Sequence, residues 1–316
     1  MPDSPTGPQP PSGRQFVLEN EAARATVTEV GAGLRTLSVG GTDLVWGYRG
    51  DEMAGGGRGQ VLAPWPNRLA DGRYTFDGRS GRAAIDEPAR NNAIHGLVRW
   101  LNWQLDCHEA DNVRLSIVLA AQPAYPWRLR LSVAYHLTPG GLTIATTVEN
   151  LGDGVAPVGL GFHPYLAAGQ GRADSCSLSL PASVHLLADD RALPSGREDV
   201  AGTAFDFRSG TSLSGVQLDD CFTAVGGTAG ADMPEGAAWE AVLVTPAGRL
   251  GLWADDRFGY VMCFTGDTLA PADRRCGVAV EPMTCPPNAL ATGDASLWAL
   301  DAGATESARW GIRLLG

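Results

Sequence analysis

Residues 128–150 constrain the fold more than any other stretch of this chain. The run RLRLSVAYHL alternates Leu129, Leu131 and Val133 with Arg128, Arg130 and Ser132; TPGG follows, and LTIATTVEN resumes the run. A two-residue period sends successive side chains to opposite faces of an extended backbone, and Pro-Gly-Gly reverses its direction. The segment therefore predicts an antiparallel hairpin from 128 to 150.

The same period recurs elsewhere. Thr26, Thr28 and Val30 alternate with Val27 and Glu29, and a second hairpin is expected where Trp239–Val244 turns at PAG (246–248) and returns through Leu250–Ala254. Apolar spacings of helical period are scarce, and the few possible helices lie in short stretches such as 87–92 and 288–292. The 41 Gly and 21 Pro supply turns throughout. These patterns predict an all-β chain, a large antiparallel β-sandwich with few short helices. No repeat of fixed period and no linker divides it, so a single domain is expected over 15–316. Residues 1–14, MPDSPTGPQPPSGR, are proline-rich with almost no large apolar side chain and read as a disordered tail.

Net charge narrows the function classes. The sum of −11 gives a field that repels nucleic acid and anionic membrane, so neither is an expected partner. All 24 basic residues are Arg, which excludes a Schiff-base Lys and a P-loop Lys. No apolar run approaches the roughly 20 residues that span a bilayer. The six cysteines never form C-x-x-C and read as buried free thiols; with no apolar leader at the N-terminus, they point to a reducing cytoplasm.

Five segments carry candidate chemistry. In PWPNRLADG, Pro64 and Pro66 stiffen the backbone around Trp65 and deliver Asn67 and Arg68, a donor-rich pair suited to ring and hydroxyl oxygens; Arg68 could equally pair with a neighbouring strand. His95 precedes Gly96 at a turn, where it could serve a ligand or stabilise the loop. In GFHPYL, His163 is held extended by Pro164, with Tyr165 two residues on; an imidazole titrating near neutrality is a candidate acid or base. In VQLDDCFT, Asp219 and Asp220 face opposite sides if extended, so one points inward and needs a partner. In VAVEPMT, Glu281 ends an apolar run. Desolvation there would raise its pKa toward that of a general base, unless it bridges to an Arg.

In order and spacing, PWPNRLADGRYTFDG, NAIHGLVRWLNW, GFHPYL, LDDCFT, FTGD and EPMTCPPNAL resemble the aldose 1-epimerase (mutarotase) family over about 20–314. The resemblance implies the galactose mutarotase-like supersandwich and an isomerase that interconverts hexose anomers. It makes His163 the proton donor and Glu281 the base. Asn67, Arg68, His95 and Asp219 become sugar-holding residues, Asp219 being chosen because it opens the D-x-x-F element. Tyr165 joins the substrate-binding set, and Trp65 or Phe264 would stack on the sugar. Met262 stands where the family often carries a polar Gln. His108, His136 and His185 match nothing.

Proton shuttling between two side chains calls for no cofactor, and no H-x-H or H-x-x-x-H spacing suggests a metal. The alternatives are a mutarotase for a phosphorylated or sulfonated sugar, motivated by Arg73, Arg79, Arg82 and Arg99 near the motif loops, and a non-catalytic carbohydrate-binding protein. A binding module would not need both His163 and Glu281, and a hydrolase would usually need two carboxylates where only Glu281 clearly qualifies.

Overall fold

The computed structural model describes residues 9–226 and 233–316. Residues 1–8 of the expected tail lie outside that range. The remainder of the expected tail, residues 9–14, is placed against the body: Ser12 is buried, and Arg14 forms a two-pronged ion pair with Glu29. Residues 9–14 therefore belong to the folded body and not to a tail.

Two large antiparallel sheets carry the architecture. One has nine strands among the described residues and is built around Leu129–Thr138, Gly141–Asn150, Thr305–Leu315 and Gly248–Ala254. The expected hairpin is its centre, with Thr138 opposite Gly141 and Leu129 opposite Asn150. Its inward residues Leu129, Leu131, Val133 and Tyr135 are fully buried while Arg130 and His136 face water, as the period-two pattern requires. The second expected hairpin pairs Trp239–Thr245 with Gly248–Ala254 in the same sheet.

The other sheet has eight strands among the described residues and runs through Pro194–Asp199, Ala182–Ala188, Asp219–Val225, Tyr260–Phe264, Gly277–Met283 and Gly161–Phe162. One core joins the sheets: Phe162 of the eight-stranded sheet lies 5.0 Å, centroid to centroid, from Trp310 of the nine-stranded one. Among the described residues helix is confined to single turns, including Pro88–Arg90 and Ala289–Thr292.

The six cysteines are unpaired, as expected, but only four are buried; Cys107 and Cys276 are half-buried. Among the described residues no helix is long and apolar enough to cross a membrane.

Candidate active site

The site is laid out by cross-strand register. In the eight-stranded sheet Tyr165 is opposite Ala279, Ala279 opposite Phe264, and Phe264 opposite Asp219. Directly opposed residues share a face, so Tyr165, Phe264 and Asp219 form one row across four strands. Two residues along, Glu281 is opposite Met262, and Met262 opposite Cys221, which puts Glu281 on that same face. The all-buried strand GVAVEPM carries Glu281 through the interior, where it is 2% exposed.

Asn67, Arg68 and His95 arrive on two cross-linked segments. Arg68–Ala70 pairs with Asn92–Ile94, and the Asn67 N–H donates to His95 Nδ1 at 3.2 Å while the His95 N–H donates back to the Asn67 carbonyl at 2.8 Å. With Nδ1 accepting, the neutral ring carries its hydrogen on Nε2 as a donor. Gly96 adopts φ +70°, and a Cβ there would stand 2.1 Å from the Ala63 carbonyl oxygen, so only glycine lets the two segments close. The stiff extended entry expected around Trp65 is interrupted, because the Ala63–Pro64 bond is cis and Asn67 has φ +53°.

Arg68 is buried and bonded: Nε reaches both Glu87 oxygens at 3.0 and 3.1 Å, and Nη2 reaches Asp219 Oδ2 at 3.2 Å. Burial works against its charge, but the Asp219 and Glu87 carboxylates outweigh that effect and raise its pKa. Arg90 bridges the same two carboxylates, at 3.2 Å from Glu87 and 3.4 Å from Asp219.

His163 sits at the break between Gly161–Phe162 and Tyr165–Ala167, stacked on Tyr165 at 5.0 Å and edge-on to His95 at 5.2 Å. Its Nε2 is 3.3 Å from Glu281 Oε1. Burial pushes the His163 pKa down and the Glu281 pKa well up, so the surroundings favour the neutral form of each. Neutral His with protonated Glu carries the same number of protons as imidazolium with carboxylate, so one transfer across the 3.3 Å contact converts one pair into the other.

Asn67, Arg68, His95, His163, Tyr165, Asp219, Phe264 and Glu281, to which the resemblance gives catalytic or sugar-binding roles, line one cavity of about 600 Å³. Trp65 does not: it is buried beneath the wall, which leaves Phe264 as the stacking candidate of the two. Of the four arginines near the motif loops, Arg99 lines this cavity, whereas Arg73 and Arg82 line a separate one. Asp220 points away from the cavity and bonds His185. Asp86, Glu87, Arg90, Met53 and Trp100 were not singled out and also line the site. Asp86, Glu87, Arg90 and Met53 lie outside the motif segments, Trp100 lies within NAIHGLVRWLNW, and only the folded chain brings Glu87 to Arg68. Among the described residues no group of three or more His, Cys, Asp or Glu is placed to hold a metal.

The model of the family described as aldose 1-epimerase matches residues 14–313. The chain belongs to the aldose 1-epimerase family. As a member it is an isomerase of the mutarotase type, and the family acts on small sugars. It is 32% identical over 283 residues to Escherichia coli K12 uncharacterized protein YihR, covering 89% of this chain and 87% of that one. Bovine galactose mutarotase is 28% identical over 216 residues, covering 63% and 61%. Among solved structures, a putative aldose 1-epimerase from Escherichia coli K12 superposes with TM-score 0.80 at 19% identity, over 96% of this chain and 99% of that one. The family's supersandwich is thus the fold seen here.

Proposed function

We propose that this aldose 1-epimerase homologue interconverts the α and β anomers of a neutral hexose, with Glu281 and His163 as the proton carriers. The observation that carries this is the 3.3 Å approach of a buried imidazole nitrogen to a buried carboxyl oxygen in the cavity wall, among residues suited to hydroxyl groups. Glu281, as carboxylate, takes the proton of the C1 hydroxyl. The C1–O1 bond becomes a carbonyl, the C1–O5 bond breaks, and His163, as imidazolium, gives its proton to O5. After rotation about C1–C2, the C5 hydroxyl adds to the other carbonyl face, O5 returns its proton to His163, and O1 takes one from Glu281.

Because O1 and O5 are both bonded to C1, an acceptor and a donor this close together fit the two oxygens of one anomeric carbon. Each positioned proton transfer contributes on the order of 10² to 10⁴-fold. Arg68, the Asn67 amide and His95 Nε2 donate to sugar oxygens, Asp219 accepts from hydroxyls, and Phe264 covers the apolar face of the ring. The protein is proposed to work in the cytoplasm, in keeping with its free thiols.

A neutral sugar is favoured because each cavity-lining arginine already meets a carboxylate: Arg68 and Arg90 meet Glu87 and Asp219, and Arg99 meets Asp86 at 2.8 Å. One observation favours a phosphorylated or sulfonated sugar instead, namely that Arg99 Nε is buried without a partner among the described residues. Anomer exchange measured by magnetisation-transfer NMR on glucose, galactose and a panel of anionic aldoses separates the two. The neutral reading expects exchange of glucose or galactose that roughly 0.5 M salt leaves nearly unchanged. Exchange confined to anionic sugars and suppressed by millimolar sulfate would replace it with the second.

A further inference from the structure

The acidic pair Asp219-Asp220 divides between two faces. Asp220 lies in a cross-strand row with Cys263 and Val280, both fully buried, so it is the inward carboxylate. His185, opposite Phe222 on the neighbouring strand, is 3% exposed and stacks on Phe205 with ring centroids 3.8 Å apart. Its Nε2 is 2.9 Å from Asp220 Oδ1, and its Nδ1 is 2.9 Å from Glu198 Oε1. A carboxylate only accepts, so both contacts are hydrogen bonds only when both ring nitrogens carry hydrogen, which is the imidazolium.

Asp220 gives its second oxygen to the Asp219 N–H, at 3.0 Å. The Asp219 carboxylate in turn holds Arg68 at the cavity. A continuous path therefore runs from Glu198 near the surface, through His185 and Asp220, to Asp219 and Arg68.

We propose that His185 is a positioning residue for sugar binding: by bridging Glu198 and Asp220 it fixes the carboxylate that anchors the Asp219 backbone, and so sets where Asp219 and Arg68 stand in the cavity. This rests on the assignment of Asp219 and Arg68 as sugar contacts. The charged groups facing the ring are Glu198 on Pro194–Asp199 and Asp220 on Asp219–Val225, while Phe205 and Phe222 supply its apolar walls. Burial alone would lower the pKa of His185, but the two carboxylates more than reverse this and raise it. Above that raised pKa the ring keeps one hydrogen and loses one of the two contacts.

Two readouts across roughly pH 6 to 9, a range bracketing an imidazole raised above its ordinary value, test the proposal in wild type, His185→Gln and Glu198→Gln. The first is KM against kcat for the sugar that the wild type turns over. The second is the Asp219 amide shift, followed by NMR alongside the His185 ring. In the wild type KM is expected to rise about fivefold through the His185 titration while kcat stays within about twofold, the size of one lost hydrogen bond. His185→Gln should hold the higher KM at every pH. Glu198→Gln, with one fewer carboxylate on the ring, should shift the midpoint down by about one pH unit.

A wild-type KM profile matched by folded His185→Gln, or a midpoint unmoved in Glu198→Gln, overturns the proposal. If His185→Gln does not fold, the Glu198→Gln curve decides alone. An Asp219 amide that stays still while His185 titrates overturns the positioning whatever the activity. An amide that tracks His185 with a flat KM removes Asp219 from sugar binding instead.

Discussion

His163 Nε2 stands 3.3 Å from Glu281 Oε1, while the other polar atom of each side chain, Nδ1 and Oε2, is buried without a partner among the described residues. A buried polar atom left unpaired costs roughly 1–3 kcal/mol. The pair is therefore held together at the expense of stability, as expected where two groups are placed for proton transfer.

Replacing Glu281 by Gln or His163 by Asn removes a proton carrier while keeping approximate shape. Each should lower kcat by about 10² or more and leave the far-UV circular dichroism unchanged. Near-normal turnover in either variant would take that residue out of the chemistry.

Stability should respond to pH in a defined direction. Burial raises the folded-state pKa of Glu281 above its unfolded value. Its contribution is thus fully present below the unfolded pKa, near 4.3, and is lost as pH rises through the folded pKa. Glu281→Gln cannot ionise, so the Tm difference between variant and wild type should move in favour of the variant from pH 5 to pH 9. Parallel Tm curves would show that Glu281 is ionised at little cost.

Arg68→Ala deletes one of the two cations shared by Glu87 and Asp219 and leaves Arg90 alone between the two carboxylates. Sugar affinity should fall by the roughly 1.5 to 3 kcal/mol of a charge-assisted hydrogen bond, seen as a higher KM. An unchanged KM with a lowered Tm would make Arg68 a structural link between strands.

Gly57 roofs the imidazole. Its φ is +76°, and a Cβ built there would lie 2.7 Å from His163 Cδ2. Gly57→Ala should displace the ring and lower kcat at least tenfold, because proton transfer depends on placement to within about 0.5 Å. Normal kcat would show that the loop yields instead of the ring.

The fold was legible where alternation was strong and unbroken, as in 128–150, because a buried face repeats every second residue. Single-turn helices at 88–90 and 289–292 also fell within the expected stretches. The motif residues were legible because they sit on strands or strand ends, whose register brings Tyr165, Phe264 and Asp219 into one row. Glu87 and Arg90 were not, since an ion pair between segments leaves no periodic trace. His185 was invisible for the same reason: its partners lie 13 and 35 residues away. Trp65 was misplaced because a proline-flanked aromatic looks alike whether it faces a ligand or the core, and here the cis bond at Pro64 and the left-handed Asn67 accompany a buried ring.

Two acid–base side chains need no Lewis acid, so exhaustive dialysis against EDTA should leave the rate of anomer exchange unchanged. Loss on chelation and recovery with one divalent ion would demand a different chemistry.

Opening and reclosure of an aldose ring in this cavity can be followed by polarimetry of freshly dissolved α-glucose and α-galactose. With wild-type protein, rotation should relax to its usual equilibrium value at a rate proportional to enzyme, while Glu281→Gln leaves it at the buffer rate. Relaxation at the buffer rate with wild-type protein, for these sugars and for anionic aldoses alike, would contradict the account.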